Sequence, residues 1–257
     1  MRATVKMIAM VALAGCVGQT LSAQVATTVR VRVVAHDAKI LGDGVGGARV
    51  IVRDADTGSI LAMGIQEGGT GDTRRIVERP VSRGARVYDT RGAALFTVEL
   101  QLYEPTIVEF IGEGPLDYEH AMLRASKTVL LIPGEHLLGN GLLLELHGFI
   151  VEMLEPTSIT AGGEAVDVEA RVRMMCGCPL EPGGLWDADR VRVRAQVYAD
   201  GTLVRDEELR YTGKTNMFRG VVSLADVPEG AYLIIVASDP DRENFGSSKK
   251  LKIEDLP

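Results

Sequence analysis

The chain has 257 residues, of which 46% are hydrophobic and 25% charged, a globular composition with room for one large domain or two ordinary ones. This balance argues against wholesale disorder, because enough apolar surface is available to form a core. The formal net charge is −7, which argues against nucleic acid as a partner, since binding a polyanion requires a basic patch that releases counterions.

The first residues have the features of a bacterial export signal. Arg2 and Lys6 precede a short apolar stretch, residues 7–14, which is shorter than the roughly 20 residues that a membrane-spanning helix needs. We expect residues 1–23 to be a signal peptide and the protein to be exported. Arg, Glu and Asp interrupt every later apolar run, so we expect contact with a membrane only through a lipid anchor.

Two cleavage sites fit this signal. Residues 13–16, Leu-Ala-Gly-Cys, resemble the lipobox of bacterial lipoproteins, which implies cleavage before Cys16 and lipidation of its thiol. Alternatively, cleavage follows Ala23, where Leu-Ser-Ala satisfies the small-residue rule and Cys16 is removed with the signal. The lipobox is the preferred interpretation. Val17 after the cysteine then implies sorting to the outer membrane, so the expected location is the periplasm or the outer membrane.

Beyond residue 24 the sequence alternates apolar and charged residues with a period of two, which predicts β-strands. Such alternation gives one apolar and one solvated face, as in an antiparallel sheet that is covered on one side. Gly-containing turns separate these runs, which is typical of sandwiches. We therefore expect an all-β protein of two antiparallel β-sandwich domains. The clearest runs are Val29 to Val33 with Arg30 and Arg32, residues 166–174 and residues 191–197.

The best domain boundary lies at residues 155–163, where Pro156 ends a strand and two glycines follow. This predicts a first domain over residues 24–154, a linker over 155–163 and a second domain over 164–257. Residues 66–90 form a long polar stretch, which is expected to be either functional or disordered. A short helix is expected within residues 115–125.

The first domain resembles the transthyretin-like, carboxypeptidase-regulatory-like sandwich. The resemblance is carried by residues 28–34, Thr-Val-Arg-Val-Arg-Val-Val, and by residues 44–62, which contain a Gly-rich turn and an Asp-Ala-Asp-Thr-Gly hairpin. Some members of that superfamily hydrolyse 5-hydroxyisourate with histidines and a C-terminal Tyr-Arg-Gly-Ser segment. This chain ends in Leu-Lys-Ile-Glu-Asp-Leu-Pro, so that activity is not carried over.

The second domain resembles immunoglobulin and fibronectin type III modules. Residues 226–239, Asp-Val-Pro-Glu-Gly-Ala-Tyr-Leu-Ile-Ile-Val-Ala-Ser-Asp, are similar to their penultimate strand, and residues 249–253 provide a final strand. Such modules serve as scaffolds for many activities, so the resemblance alone assigns no function.

The most distinctive segment is Met174-Met175-Cys176-Gly177-Cys178, followed by Pro179. In an oxidising compartment the two cysteines are expected to pair in a disulfide, with Gly177 supplying the bend. The small disulfide ring would be strained and therefore reducible, which suits thiol exchange; alternatively, the two thiolates with Met174 or Met175 offer soft ligands of the type that select Cu(I). If the strand stays regular, Met174 and both thiols lie on its apolar face and Pro179 ends it.

Three further groups are candidates for binding. A loop of hard oxygen ligands, which lacks the EF-hand spacing, is either a Ca²⁺ site or a solvated turn; it contains Asp239, Asp241, Glu243 and Asn244. Trp186 beside Asp187 and Asp189 suggests either a sugar platform or a packing anchor. The histidines have no metal-binding spacing and are expected to be surface or core residues; they are His36, His120, His136 and His147.

The sequence contains no Gly-x-Ser-x-Gly elbow and no phosphate-binding loop, so no catalytic residue is assigned and no cofactor is expected. The leading hypothesis is a non-enzymatic binding or scaffolding lipoprotein of the cell envelope. Its partner would be an envelope protein, a small molecule or a glycan. The alternatives are a copper-handling or thiol-redox protein centred on Cys176 and Cys178, and a carbohydrate-binding or hydrolytic accessory protein.

Overall fold

The structure is a computed structural model that describes residues 23–160 and 163–254. Within those ranges the chain forms sixteen β-strands joined by turns and short helical segments, which confirms the all-β class. The expected signal peptide, including Cys16, lies outside the described residues except for Ala23.

Seven strands of the N-terminal part form two sheets. One has the order β4-β1-β7 and the other the order β3-β2-β5-β6. Their bounds are β1 Val25–Ala35, β2 Ala48–Asp54, β3 Ile60–Gln66, β4 Phe96–Leu102, β5 Thr106–Gly114, β6 Leu123–Leu131 and β7 Leu137–Leu146.

The two N-terminal sheets pack face to face. At Gly112 of β5, a Cβ atom would lie only 2.7 Å from Val33 Cγ2 and 3.1 Å from Leu144 Cδ1, so glycine permits this close approach. Gln66 at the end of β3 also crosses between the sheets. Its Oε1 accepts the N–H of Val33 at 2.7 Å, while its Nε2 donates to the carbonyl oxygens of Val33 at 3.0 Å and Leu41 at 2.9 Å.

The remaining nine strands are joined along the path β8-β10-β13-β12-β11-β14-β16-β9, with β15 paired to β14. Most of β12 pairs with β11, whereas its last two residues, Arg210 and Tyr211, pair with β13. β12 therefore links the strands on the β11 side of the sheet to those on the β13 side. The bounds are β8 Phe149–Glu155, β9 Ile159–Thr160, β10 Ala165–Met174, β11 Arg192–Ala199, β12 Thr202–Tyr211, β13 Met217–Ser223, β14 Tyr232–Asp239, β15 Asn244–Ser247 and β16 Leu251–Glu254.

Strand β8 precedes the predicted linker at residues 155–163, and it pairs antiparallel with β10. One hydrophobic cluster, moreover, contains buried residues of both parts of the chain, from Val29 to Ile253. The division into two domains at residues 155–163 stays a prediction.

Most strand pairs are antiparallel, as expected, but two are parallel. β1 runs parallel to β7, with Ala35 opposite Leu146, and β9 runs parallel to β16. A parallel pair cannot be closed by a tight hairpin, and here the connection from β1 to β7 contains all of β2–β6. Alternation within a single strand carries no information about so distant a partner.

The stretch between β3 and β4 contains one short π-helical turn, Arg74–Glu78. Asn140 holds the later part of this connection, because its Oδ1 accepts the N–H of Tyr88 at 3.1 Å and its Nδ2 donates to the Ala85 carbonyl at 2.7 Å. The short helix expected within residues 115–125 is a 3-10 turn, Glu119–Ala121.

Arg32 differs from the expectation of a solvated charged face, because its side chain is only 1% exposed. Its Nη1 donates to the carbonyls of Gly139 at 2.8 Å and Asn140 at 2.6 Å, and its Nη2 to Asp89 at 3.3 Å. Burial lowers the pKa of Arg32, and the Asp89 carboxylate opposes that shift. The β3–β4 connection, through Asp89, therefore covers this part of the outer face of β1.

Replacement of this side chain tests the buried network. We expect Arg32→Met to lower the free energy of unfolding by about 2–3 kcal/mol, because two carbonyl oxygens lose their donor. Arg30→Met is the matched control, since Arg30 is on the same strand, is one-third exposed and pairs with Asp89 at 3.4 Å; its cost should stay below about 1 kcal/mol. Urea denaturation measures both, and equal costs would contradict the assignment.

Candidate functional site

The turn that follows β1 joins the two parts of the chain. Asp37 has a φ of 50°, in the left-handed region, and its carbonyl oxygen accepts the indole N–H of Trp186 at 2.9 Å. Its carboxylate pairs with Arg242 Nη1 at 2.8 Å. Asn244 Nδ2 donates to the carbonyl of His36 at 3.5 Å. We call residues 36–38 the junction turn.

Two histidines and a glutamate gather beside this turn. The rings of His36 and His147 stack with their centroids 3.8 Å apart and an interplanar angle of 10°. Glu243 Oε2 lies 3.9 Å from His147 Nδ1. The ligand atoms of these three residues lie within 4.8 Å of one another, and no other set of three His, Cys, Asp or Glu residues in the described ranges does so. We call this set the histidine cluster.

The parallel pairing of β1 with β7 explains why the histidines meet. His36 follows the last residue of β1 and His147 follows the last residue of β7, and those end residues are opposite each other. The N–H of His36 donates to the carbonyl oxygen of Leu146 at 2.8 Å, which extends the backbone hydrogen bonding between the two strands. Glu243 follows the 3-10 turn Pro240–Arg242 and has a φ of 52°. The spacing of these residues does not predict this arrangement, since it depends on the parallel pairing of β1 with β7.

His36 of the histidine cluster lines a polar cleft of about 490 Å³. Glu145 lies at its wall, with Oε1 2.8 Å from His36 Nδ1. Tyr88, Asp241 and Arg242 also line it. Burial raises the pKa of Tyr88, and the nearby Glu145 carboxylate raises it further. The cleft thus places a hydrogen-bonded imidazole beside carboxylate, phenol and guanidinium groups.

The cysteines form a turn instead of continuing β10, which ends at Met174. Cys176 and Cys178 lie at disulfide-bonding distance, with Cα atoms 5.4 Å apart. Gly177 between them has a φ of 80°, and its N–H donates to the carbonyl oxygen of Met174 at 2.8 Å. The N–H of Met174 in turn donates to the carbonyl oxygen of Cys178 at 3.1 Å. We call this turn the cysteine clip.

The cysteine clip is buried together with Met174 and Met175, and it packs against the N-terminal part. A Cβ at Gly177 would lie 3.0 Å from Val45 Cγ1. Bonded sulfurs have no thiolate to offer a metal, so Cu(I) binding or thiol exchange would first require reduction. Both stay predictions, and the position of the clip gives it a packing role at the junction.

The structure divides the four residues of the predicted Ca²⁺ loop between different partners. Asp239 and Asp241 both face Arg190, at 3.9 and 3.3 Å. Glu243 instead faces His147, and Asn244 reaches the backbone of His36. Ca²⁺ binding by these residues stays a prediction, but Glu243 has a closer set of potential co-ligands in the histidines.

Trp186 is 6% exposed and packs in the junction, so its ring does not present a face to solvent as a sugar platform would. Asp187 accepts the N–H groups of Gly183 at 2.9 Å and Asp189 at 3.0 Å, and these bonds lower its pKa. The Trp186 segment is therefore a capped turn that anchors an aromatic side chain.

The other two histidines have local partners. His120 Nε2 lies 2.8 Å from the carbonyl of Val151, and His136 Nδ1 accepts the N–H of Thr28 at 2.9 Å. Each of these two rings therefore contacts the backbone of a distant segment, as expected for a surface or core histidine. His36 and His147 differ, because they contact each other.

A second feature is the edge of the N-terminal sandwich at β3, residues Ile60–Gln66, which we call the β3 edge. It is the outermost strand of its sheet and contains no charged residue and no proline. Ile60 and Met63 are 63% and 61% exposed, and Leu61 and Ile65 are exposed as well. Sequence alternation is weak here, so the strand's exposure was not predicted.

None of the helical segments in the described parts of the chain has the length and apolar character needed to cross a membrane. Comparison with models of protein families gives no match, and comparison with curated proteins gives none. The geometry of the junction and of the β3 edge therefore carries the functional argument.

Trp186 is the only tryptophan, so its fluorescence reports on the junction. We expect a blue-shifted emission that acrylamide quenches weakly, because the indole is buried and hydrogen-bonded. The control is Leu185→Trp in a Trp186→Phe background, which moves the indole to an exposed neighbour. An emission of Trp186 as red-shifted and as easily quenched as that of the control would contradict the packing described here.

Proposed function

We propose that this protein is a non-enzymatic binding or scaffolding protein of the bacterial cell envelope, and that its β3 edge pairs with an extended segment of an envelope protein. In this proposal a transthyretin-like module precedes an immunoglobulin-like or fibronectin-III-like module. The protein is exported and anchored through lipidated Cys16, in the periplasm or on the outer membrane. The β-rich structure, with two sheets packed face to face in its N-terminal part, supports the modular part of the proposal.

The observation that carries the proposal is the exposed, uncharged β3 edge. Sheet edges carry free N–H and C=O groups, and natural proteins commonly protect them with lysine, proline or inward-pointing charges. The β3 edge has none of these within Ile60–Gln66. An added strand would gain backbone hydrogen bonds there. Its side chains would lie beside Leu61, Met63 and Ile65, which alternate onto one face.

The ion pairs of the described residues favour structural roles over acid–base chemistry. A hydrogen bond from Arg53 lowers the pKa of Glu109, and one from Arg194 lowers that of Asp206. Hydrogen bonds from Thr57 lower the pKa of Asp54. These carboxylates lie on strand surfaces and at a hairpin turn, where ion-pair networks and turn caps also shift pKa values. These lowered pKa values therefore accompany contacts that stabilise strands and turns.

The β3 edge is tested by incorporating a photo-crosslinking amino acid in the full-length protein in bacterial cells. Placed at Met63, it should give one discrete adduct with an envelope protein. The control position is Leu203 on β12, which is also exposed and should give no such adduct. Leu61→Glu, which puts a charge on the edge, should abolish the Met63 adduct. Identical adducts from both positions, no adduct, or an adduct of only two copies of this chain would contradict the proposal.

Anchoring is tested separately by Cys16→Ser. The native protein should fractionate with membranes and the variant should become soluble, because a lipobox without its cysteine cannot be acylated. Mass spectrometry of the mature N-terminus provides the second measurement. A soluble native protein beginning at Gln24 would show that the signal is cleaved after Ala23 instead.

A further inference from the structure

We propose that the histidine cluster binds a divalent cation of the Zn²⁺ class, with His36, His147 and Glu243 as its protein ligands. Two imidazoles and one carboxylate form a ligand set that suits Zn²⁺ and its first-row neighbours better than the hard cations Ca²⁺ and Mg²⁺. The site is independent of the β3 edge and of the cysteine clip.

The distances fit this assignment after a small side-chain movement. The three ligand atoms already lie within 4.8 Å of one another. With metal–ligand bonds of about 2.0–2.2 Å in a tetrahedral arrangement, they would need to approach to roughly 3.3–3.6 Å. His36 and His147 are stacked, so their in-plane lone pairs run side by side, and the rings must tilt out of the stack to face one ion. Both rings are partly exposed, which leaves room for that tilt.

Glu145 orients one of the ligands. Its carboxylate lies 2.8 Å from Nδ1 of His36, and because a carboxylate can only accept, the tautomer protonated at Nδ1 would leave Nε2 to bind the ion. Metal-binding histidines generally donate their second N–H to a carboxylate or carbonyl in this way, which fixes the ring and raises its basicity. Because Glu145 belongs to β7, the same strand positions the carboxylate and, at its end, His147.

The backbone holds the three ligands on both sides of the junction. His36 and His147 extend two paired strands, and Glu243 comes from the loop between β14 and β15. Asp37 and Glu243 are both non-glycine residues in the left-handed region, with φ values of 50° and 52°. Such conformations are uncommon for residues other than glycine. The Asp37–Arg242 pair and the Asn244–His36 hydrogen bond keep the two sides in place.

The charge and access around the cluster also suit a cation. The carboxylates of Asp37, Glu145 and Asp241 line the cleft together with His36, and Asp37 and Asp241 are paired with Arg242 and Arg190. The cleft beside His36 gives the ion a path from solvent, and three protein ligands leave a fourth position for water.

The test is calorimetric titration of the chelator-treated mature protein with Zn²⁺. We expect one Zn²⁺ per chain, a rise in melting temperature, and little response to Ca²⁺ or Mg²⁺. His147→Ala and Glu243→Gln should each weaken binding by more than tenfold, and Glu145→Gln by about tenfold through its effect on His36. Glu243 is exposed, so its replacement leaves the fold intact.

His120→Ala and His136→Ala are the matched controls, because both histidines lie outside the cluster. Each of these variants should bind Zn²⁺ with the affinity of the native protein. Absence of Zn²⁺ binding would overturn the proposal, as would unchanged affinity in His147→Ala and Glu243→Gln. So would binding that appears only after reduction of the cysteines and is lost in Cys176→Ser. The outcome is separate from that of the β3 crosslinking experiment, which probes a different surface.

Discussion

The hydrogen bond from the Trp186 indole to the Asp37 carbonyl directly links the two parts of the chain, beside the hydrophobic cluster that they share. Its donor is buried, and its acceptor belongs to a residue in the left-handed region, with a φ of 50°. Around it the Arg242 ion pair and the packing of the cysteine clip against Val45 add further contacts. Glu243 lies between Arg242 and Asn244, which both contact the junction turn, so these contacts bring it near the two histidines.

The features that could be predicted from the sequence are those determined within a single segment. Alternation predicts β1, β10 and β11, because consecutive side chains of a strand point to opposite faces of the sheet. Alternation predicts that Arg32 lies on the outer face of β1. It does not predict that the side chain is buried, because Asp89 and residues 139 and 140, which cover it, are distant in sequence. Similarly, the sequence predicts the bend at Gly177, but β10 ends at Met174 and not at Pro179, because the backbone turns at the cysteine clip before it reaches the proline.

The candidate site lay beyond sequence reasoning for the same reason. His36 and His147 meet through a parallel strand pair, and Glu243 joins them from a loop of the other part of the chain. Residues that are neighbours in sequence were poorer guides. Asp241 and Glu243 are two residues apart, but the 3-10 turn between β14 and β15 directs one toward Arg190 and the other toward His147. Their proximity in sequence predicts a shared Ca²⁺ site, but the backbone of the turn directs the two carboxylates to different partners.

Gln66 has a consequence for the alignment of the β3 edge. Its amide accepts one backbone hydrogen bond from β1 and donates two, so it substitutes for a peptide group between strands that are not otherwise paired. A shift of β3 by one residue would turn this side chain outward and leave the Val33 N–H buried without an acceptor. An ionised glutamate of the same shape accepts but does not donate. Position 66 therefore favours an amide, which keeps the exposed strand β3 in register with its neighbour β2.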